Sequence, residues 1–224
     1  MRSNPELSGR VGSINLDYWS PTDLTSIALK GFPVLNVDLA PSITKRLADE
    51  AFGTPQLMQA LCLNLCLELG IRDPAPTHQR YEVPEDKLLH ALERTADLAD
   101  YSSVVQGLHT GPKERGTERK QFRFRDGSRG DVYRAVLLGI KENPPQLSFT
   151  YDGLVERVRR VCKGDSPVGS RVSQALIQMQ RLTETLSPTV PIVDWSDNNL
   201  DIVEPYFLFF LRCSRKIDRL APAR

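Results

Sequence analysis

Residues 55–69 constrain this chain more than any other stretch. Pro55 stands just after Gly53-Thr54, Gly70 closes the segment, and between them lie Leu57, Met58, Leu61, Cys62, Leu65, Cys66 and Leu69. Proline is tolerated at a first helical turn, where its missing N–H would have no partner, and glycine takes the left-handed conformation that ends a helix. The segment is therefore expected to be a helix apolar almost all round, and such a helix has to be covered by others. The expected fold class is mainly α, with this helix at the centre of a bundle.

The flanking segments supply the covering helices. Val11, Ile14 and Leu16 alternate with polar residues and predict a short strand over 11–17. Ser20-Pro21-Thr22-Asp23 has the capping serine, first-turn proline and carboxylate of a helix start. That helix is expected to carry Leu24, Ile27, Ala28 and Leu29 and to stop at Gly31. A second helix is predicted from Pro41 or Ser42 through Ala51, broken by Phe52-Gly53-Thr54, and a fourth from Pro84 to Tyr101 with Leu88, Leu89, Leu92, Ala96 and Leu98 inward. Residues 1–110 are thus expected to form one helical bundle. Residues 111–130 are charged and contain four glycines, and they predict a linker with one short strand at Phe122-Arg-Phe124-Arg125.

Residues 131–224 follow a different plan. Helices are predicted from Asp131 to Glu142, Thr150 to Cys162 and Val168 to Leu186. Two β-prone runs follow, Pro191–Trp195 and Leu200–Val203, around the polar tetrad Ser196-Asp-Asn-Asn199, which predicts a hairpin. Three helices and then a hairpin is the order of a winged helix-turn-helix domain, and the apolar Pro205–Ser214 is expected to close it with a short helix.

Catalytic and metal chemistry finds little support. A phosphate-binding loop needs a lysine after its second glycine, and the nearest string, Gly111-Pro-Lys-Glu-Arg-Gly116-Thr117, has none. Neither a Gly-x-Ser-x-Gly elbow nor a His-Glu-x-x-His pair occurs. His78, His90 and His109 stand apart and are expected at the surface or rim, and Asp97 and Asp100 read as a solvated carboxylate pair. Cys62 and Cys66 share a helix face, but their neighbours are apolar, so buried structural thiols are expected rather than metal ligands. No metal site and no self-contained enzyme is expected. The opening Met1–Glu6 lacks the apolar stretch of a signal peptide, and Tyr206–Leu211 falls far short of the roughly 20 residues that span a bilayer. These features predict a cytoplasmic protein without a membrane partner.

Nucleic-acid contact has two candidate sources. The 224 residues carry a net charge of only +1, so any attraction to phosphate must be local. In the 111–130 stretch, Arg123 and Arg125 interleave with Phe122 and Phe124, a pattern that could hold phosphates while the rings stack on bases. In the third helix of the C-terminal part, Arg171, Gln174, Gln178 and Arg181 occupy plausible outer positions. A further basic cluster lies on the preceding helix at Arg157, Arg159, Arg160 and Lys163. The hairpin carries Asp194, Asp197, Asp201 and Glu204, which repel phosphate. On that electrostatic balance the sequence favours a winged helix used for protein contact or intramolecular control over one that reads DNA.

Three strings carry a family resemblance: Leu16-Asp-Tyr-Trp-Ser-Pro-Thr-Asp-Leu24, Gly31-Phe-x-x-Leu35-Asn36, and Ala51-Phe-Gly-Thr-Pro-Gln-Leu-Met-Gln-Ala-Leu-Cys62. Together with the closing Asp201-Ile-Val-Glu-Pro-Tyr-Phe-Leu-Phe-Phe-Leu-Arg212, they resemble the helical lid and winged helix of bacterial AAA+ and STAND-type P-loop ATPases. The resemblance implies that residues 1–110 are lid-like and 131–224 a winged helix. It also implies that Gly53 and Pro55 match a Gly-x-Pro motif lying near adenine. Gln56 stands where relatives often have a phosphate-sensing arginine, so that role is not carried over. Arg10 is placed where an arginine finger could lie. The nucleotide-binding core of that family is missing, which implies a truncated or split frame, or a companion subunit. The implied function is a non-catalytic, regulatory part of a P-loop ATPase, meeting ATP or ADP only with a separate core and contacting that core or another protein. The alternative is a winged-helix DNA-binding regulator using Arg171, Gln174, Arg181, Arg123 and Arg125.

Overall fold

The computed structural model describes residues 18–112 and 118–220. The strand expected at 11–17 and Arg10 lie outside the described residues. Helices account for 56% of the described residues and the strands are confined to small sheets, so the protein is mainly α.

Helix α1 (Pro21–Val34) starts as its sequence dictates. Ser20 Oγ accepts the Asp23 N–H at 3.2 Å, and the Ser20 hydroxyl donates to Asp23 Oδ2 at 2.7 Å. It does not stop at Gly31. Phe32 is buried in the core, which holds the helix together through Pro33 in its last turn, and the chain turns only at Asn36, with φ 55. Asn36 Nδ2 donates to the Ala75 carbonyl at 2.7 Å. That contact leads into a short parallel pair, β1 (Val37–Leu39) with β2 (Gln79–Tyr81), which no sequence period announced.

Helices α2 (Pro41–Glu50) and α3 (Pro55–Glu68) flank the Phe52–Gly53 turn, whose two residues have φ 48 and 73. The end of α3 satisfies its last carbonyls by paired bonds. The Gly70 N–H donates to Leu67 and the Ile71 N–H to Cys66, as expected when a glycine follows a helix in the left-handed region. Helix α3 packs chiefly on α4 (Glu85–Ala96), where the buried Asn64 amide donates to Thr95 Oγ1 at 2.9 Å. Its coverage is not complete, because Leu63 is 60% exposed and Leu67 37%. The helix expected to run to Tyr101 ends at Ala96, and Leu98, expected inward, is 66% exposed. Asp100 Oδ1 accepts the Ser102 N–H at 2.8 Å and starts a separate helix, α5 (Ser102–Thr110). Short polar side chains compete with the helical backbone in this way, and here the competition splits one expected helix into two.

The segment expected as a linker contains packed structure. Strands β3 (Phe122–Arg123) and β4 (Arg129–Gly130) form a small hairpin, and Phe122 and Phe124 are buried. Arg119 Nη1 meets the buried Asp131 Oδ2 at 2.7 Å. Asp131 also caps α6 (Val132–Lys141) by accepting the N–H groups of Tyr133 and Arg134. There follow β5 (Ser148–Thr150), α7 (Tyr151–Val161) capped by Thr150, α8 (Gly169–Leu186), β6 (Val193–Ser196), β7 (Asn199–Ile202), α9 (Pro205–Cys213) and α10 (Lys216–Arg219). Strands β5, β7 and β6 pair antiparallel in that spatial order. The β6–β7 turn is tighter than the expected tetrad. Ser196 and Asn199 still pair, and only Asp197 and Asn198 bend, with φ 49 and 59, as a two-residue hairpin turn requires.

One apolar core runs from Leu24 in α1 to Ile217 in α10 and takes in Phe122 and Phe124. Helix α9 supplies Phe207, Leu208, Phe209, Phe210 and Leu211 and packs on α4, with Tyr101 edge-on to Phe207 and Phe210. Among the described residues no helix is long and apolar enough to cross a membrane.

Candidate nucleic-acid interface

Helix α8 divides cleanly into two faces. Val172, Ala175, Leu176, Met179 and Thr183 are buried, at the spacing that places side chains along one side of a helix. Arg171, Gln174, Ile177 and Arg181 are exposed on the other side, with Gln178 half-buried among them. Gln180 secures the helix from within, since its Oε1 accepts the Trp195 N–H at 2.9 Å and ties α8 to β6. Among the described residues no carboxylate comes within ion-pair distance of Arg171 or Arg181. Sequence reasoning had placed Arg171, Gln174, Gln178 and Arg181 outward. It missed Ile177, which the three-residue step from Gln174 would have found.

The first half of α8 forms one wall of a cleft of 480 Å³. Arg171, Gln174 and Val168 line that wall, and Lys120, Phe122 and Tyr133 face them. Glu118 is the acid at the rim. Arg119 stacks 4.6 Å from the Tyr133 ring centroid, and Lys120 lies 3.3 Å from Asp165. The cleft thus sets Arg171 and Gln174 of α8 opposite residues 118–122, while the other candidates, Arg123, Arg125 and Arg181, do not line it.

Several expectations need correction. Phe122 and Phe124 cannot stack on bases, because their rings are buried beneath the hairpin. Arg123 and Arg125 remain exposed. Of the basic cluster expected at Arg157, Arg159, Arg160 and Lys163, only Arg157 is internal, and the other three are exposed. Arg157 is buried, donates to the carbonyls of Glu142 at 2.6 Å and Pro144 at 2.7 Å, and lies over Phe149. Burial lowers its guanidinium from the ordinary value, with the Glu142 charge opposing. Arg160 is held by Glu142 at 3.0 Å. His109 is not at the rim. It is 2% exposed, and its Nε2 lies 3.2 Å from Nη1 of the buried Arg134. Desolvation, followed by the Arg134 charge, lowers its pKa, so the ring is neutral and accepts from the guanidinium. Arg134 donates besides to Ser128 Oγ and to the Ile217 carbonyl. His78 and His90 are exposed.

The hairpin β6–β7 is as acidic in space as in sequence. Asp194 lies directly opposite Asp201, and Asp197 is exposed at the tip. The thiols behave as core groups. Burial, with a smaller contribution from Cys66, pushes Cys62 up to about 12, and burial raises Cys66 as well. Among the described residues no three His, Cys, Asp or Glu side chains cluster as a metal site would need.

The turn at Gly53 and Pro55 is occupied by the chain itself. The Gly53 carbonyl accepts the Trp19 N–H at 2.9 Å, and a Cβ at Gly53 would come within 2.5 Å of Tyr18 Cβ. Tyr18 therefore lies against the glycine at the point where the resemblance implies adenine. No family model, curated protein or solved structure matches this chain.

Proposed function

We propose that this protein is a non-catalytic DNA-binding module, in which a winged helix-turn-helix reads the duplex and a helical bundle is fused rigidly to its back. The observation that carries the reading is the outer stripe of α8. Two guanidinium and two amide side chains follow one another along it, and no carboxylate of the described chain engages either guanidinium. The surrounding order supports it. Helix α6, strand β5, helices α7 and α8 and strands β6 and β7 follow the succession of a winged helix, in which the third helix enters the major groove. Arginine and glutamine are the side chains that make paired hydrogen bonds to guanine and adenine edges there.

The acidic β6–β7 hairpin does not reverse this assignment. Its carboxylates repel the backbone on that flank and favour an approach in which the duplex runs toward the side of α8 where Lys120 lines the cleft. The reading in which the chain controls a P-loop ATPase core supplied by another protein has less to draw on, because Tyr18 already covers Gly53. The DNA-binding reading carries with it a cytoplasmic location.

The test is fluorescence anisotropy of the full chain with mixed-sequence duplexes of about 20 base pairs, roughly two turns, across a salt series. Binding is expected, and it weakens steeply as salt rises. Arg171→Ala and Arg181→Ala are each expected to weaken it, and a lost phosphate contact reduces the log–log salt slope by about 1. Absence of binding at low salt would reject the proposal and leave α8 as a protein-contact surface.

A further inference from the structure

Resting on that reading, we infer that the β3–β4 hairpin and the α7–α8 turn together form a phosphodiester clamp, a contact to the DNA backbone separate from the α8 stripe. The argument begins with strand register. Arg123 and Arg129 are direct cross-strand partners, and both are exposed. On the other side of Arg123, Phe124 bridges Cys162, the Arg125 N–H donates to the Val161 carbonyl, and the Lys163 N–H donates to the Arg123 carbonyl. In an antiparallel pairing those bonds set Lys163 opposite Arg123, on the same face. Phe122, Phe124 and Cys162 point to the opposite face and are buried. The outward face therefore carries Arg129, Arg123 and Lys163 in a row across three neighbouring chain segments, roughly 5 Å from one to the next.

Like charges directly opposite one another destabilise a pairing, so a row of three calls for a reason outside the fold. Nearby acids do not neutralise it. Asp126 accepts from Ser128 N–H and Oγ, Asp165 is met by Lys120, and among the described residues no carboxylate lies within ion-pair distance of Arg123, Arg129 or Lys163. The repeating anion of matching chemistry is a phosphodiester backbone, whose charges follow one another at a few ångströms along each strand. Lys163 stands six residues before the start of α8, so the row adjoins the entrance of the helix taken to lie in the groove. The row contains no exposed aromatic or amide group, so the contact is to the backbone and carries no sequence preference.

The experiment compares wild-type chain, R123A/R129A, K163A and R171A/R181A on two duplexes of unrelated sequence, with phosphatidylserine-rich vesicles as a second probe. R123A/R129A is expected to lose affinity by the same factor on both duplexes and to lower the salt slope by about 1.8. A rise from about 50 to about 200 mM salt then costs the variant roughly tenfold less affinity than it costs wild type. K163A is expected to lower the slope by about 0.9. Thermal melting of R123A/R129A should be unchanged or raised, since a like-charge pair has been removed, and this separates a binding loss from misfolding. If R123A/R129A and K163A bind like wild type while R171A/R181A does not, the clamp is wrong and the α8 reading stands. If wild type binds neither duplex, both fail, and vesicle binding lost in R123A/R129A would assign the row to an anionic lipid surface.

Discussion

Replacing Glu50 by alanine should expose how the N-terminal bundle is joined to the C-terminal helices. Glu50 ends α2, and its carboxylate accepts from Arg212 of α9 through Nε at 2.9 Å and Nη2 at 2.6 Å. The two side chains are 11% and 7% exposed, so neither is screened as a surface pair would be. Burial alone would lower the Arg212 pKa, and the Glu50 hydrogen bonds and charge reverse that to a net rise. Breaking a buried pair by removing one partner costs about 3–5 kcal/mol, because the other charge is left uncompensated. Arg212 would keep Asn143 Oδ1 at 2.8 Å and the Lys141 carbonyl, which favours the lower end of that range. In a chain of this size about 3 kcal/mol corresponds to a fall in Tm of roughly 6–12 °C. Urea titration followed by circular dichroism measures it, and the single core predicts one transition with a lowered midpoint. Glu50→Leu combined with Arg212→Met should recover most of the loss, since apolar replacement of a buried pair is often neutral. A Glu50→Ala loss below about 1 kcal/mol, the scale of an exposed pair, would refute the reasoning.

Two further outcomes follow from buried titratable groups. His109 is neutral in the fold, with its pKa held below the ordinary 6.5 by burial and then by Arg134. The unfolded chain takes up that proton first, so its contribution is intact above about pH 6.5 and lost as pH falls from there toward the lowered folded value. The urea midpoint should therefore drop between about pH 7 and about pH 5.5, and His109→Gln should flatten that part of the profile; an unchanged slope would reject the assignment. Burial pushes the Cys162 thiol up to about 11 and Cys62 up to about 12, so near pH 8 about one thousandth or less of either is thiolate. Native protein should leave both unreactive toward a chromogenic disulfide that labels them readily in urea, and rapid labelling of the native chain would contradict their packing.

The sequence made legible what local chemistry decides. Ser20 with Asp23, Pro55 with Gly70, Thr150 and Pro205 mark helix ends because a cap is a bond between near neighbours. The two β-prone runs on either side of the polar Ser196–Asn199 tetrad marked β6 and β7. What it hid depends on distant partners. Gly31 reads as a stop until Phe32 finds the core, and Leu98 reads as apolar core until Asp100 caps the next helix. Strands of three residues, such as β1, β2 and β5, are too short to show a period of two. The glycines of 111–130 suggested a linker, yet Phe122 and Phe124 needed only a hydrophobic floor, which α6 and α7 supply.

The same distinction separates the parts of the candidate interface. The α8 stripe could be read from sequence because a helix projects every third and fourth residue to one side regardless of its partners. Arg157 and Arg181 look alike in a charge count. They differ because two backbone carbonyls, those of Glu142 and Pro144, lie within reach of Arg157 and replace the water it loses, so it can be buried. Arg181 finds no such acceptors and stays outside. Counting cations therefore overstates α7 as a phosphate-binding surface. It understates the hairpin, where Arg129, Arg123 and Lys163 meet only because Cys162 folds back beside Phe124, 38 residues earlier in the chain. A basic residue is available to an external anion when the fold offers it no internal acceptor, and that condition is set by tertiary pairing rather than by charge spacing.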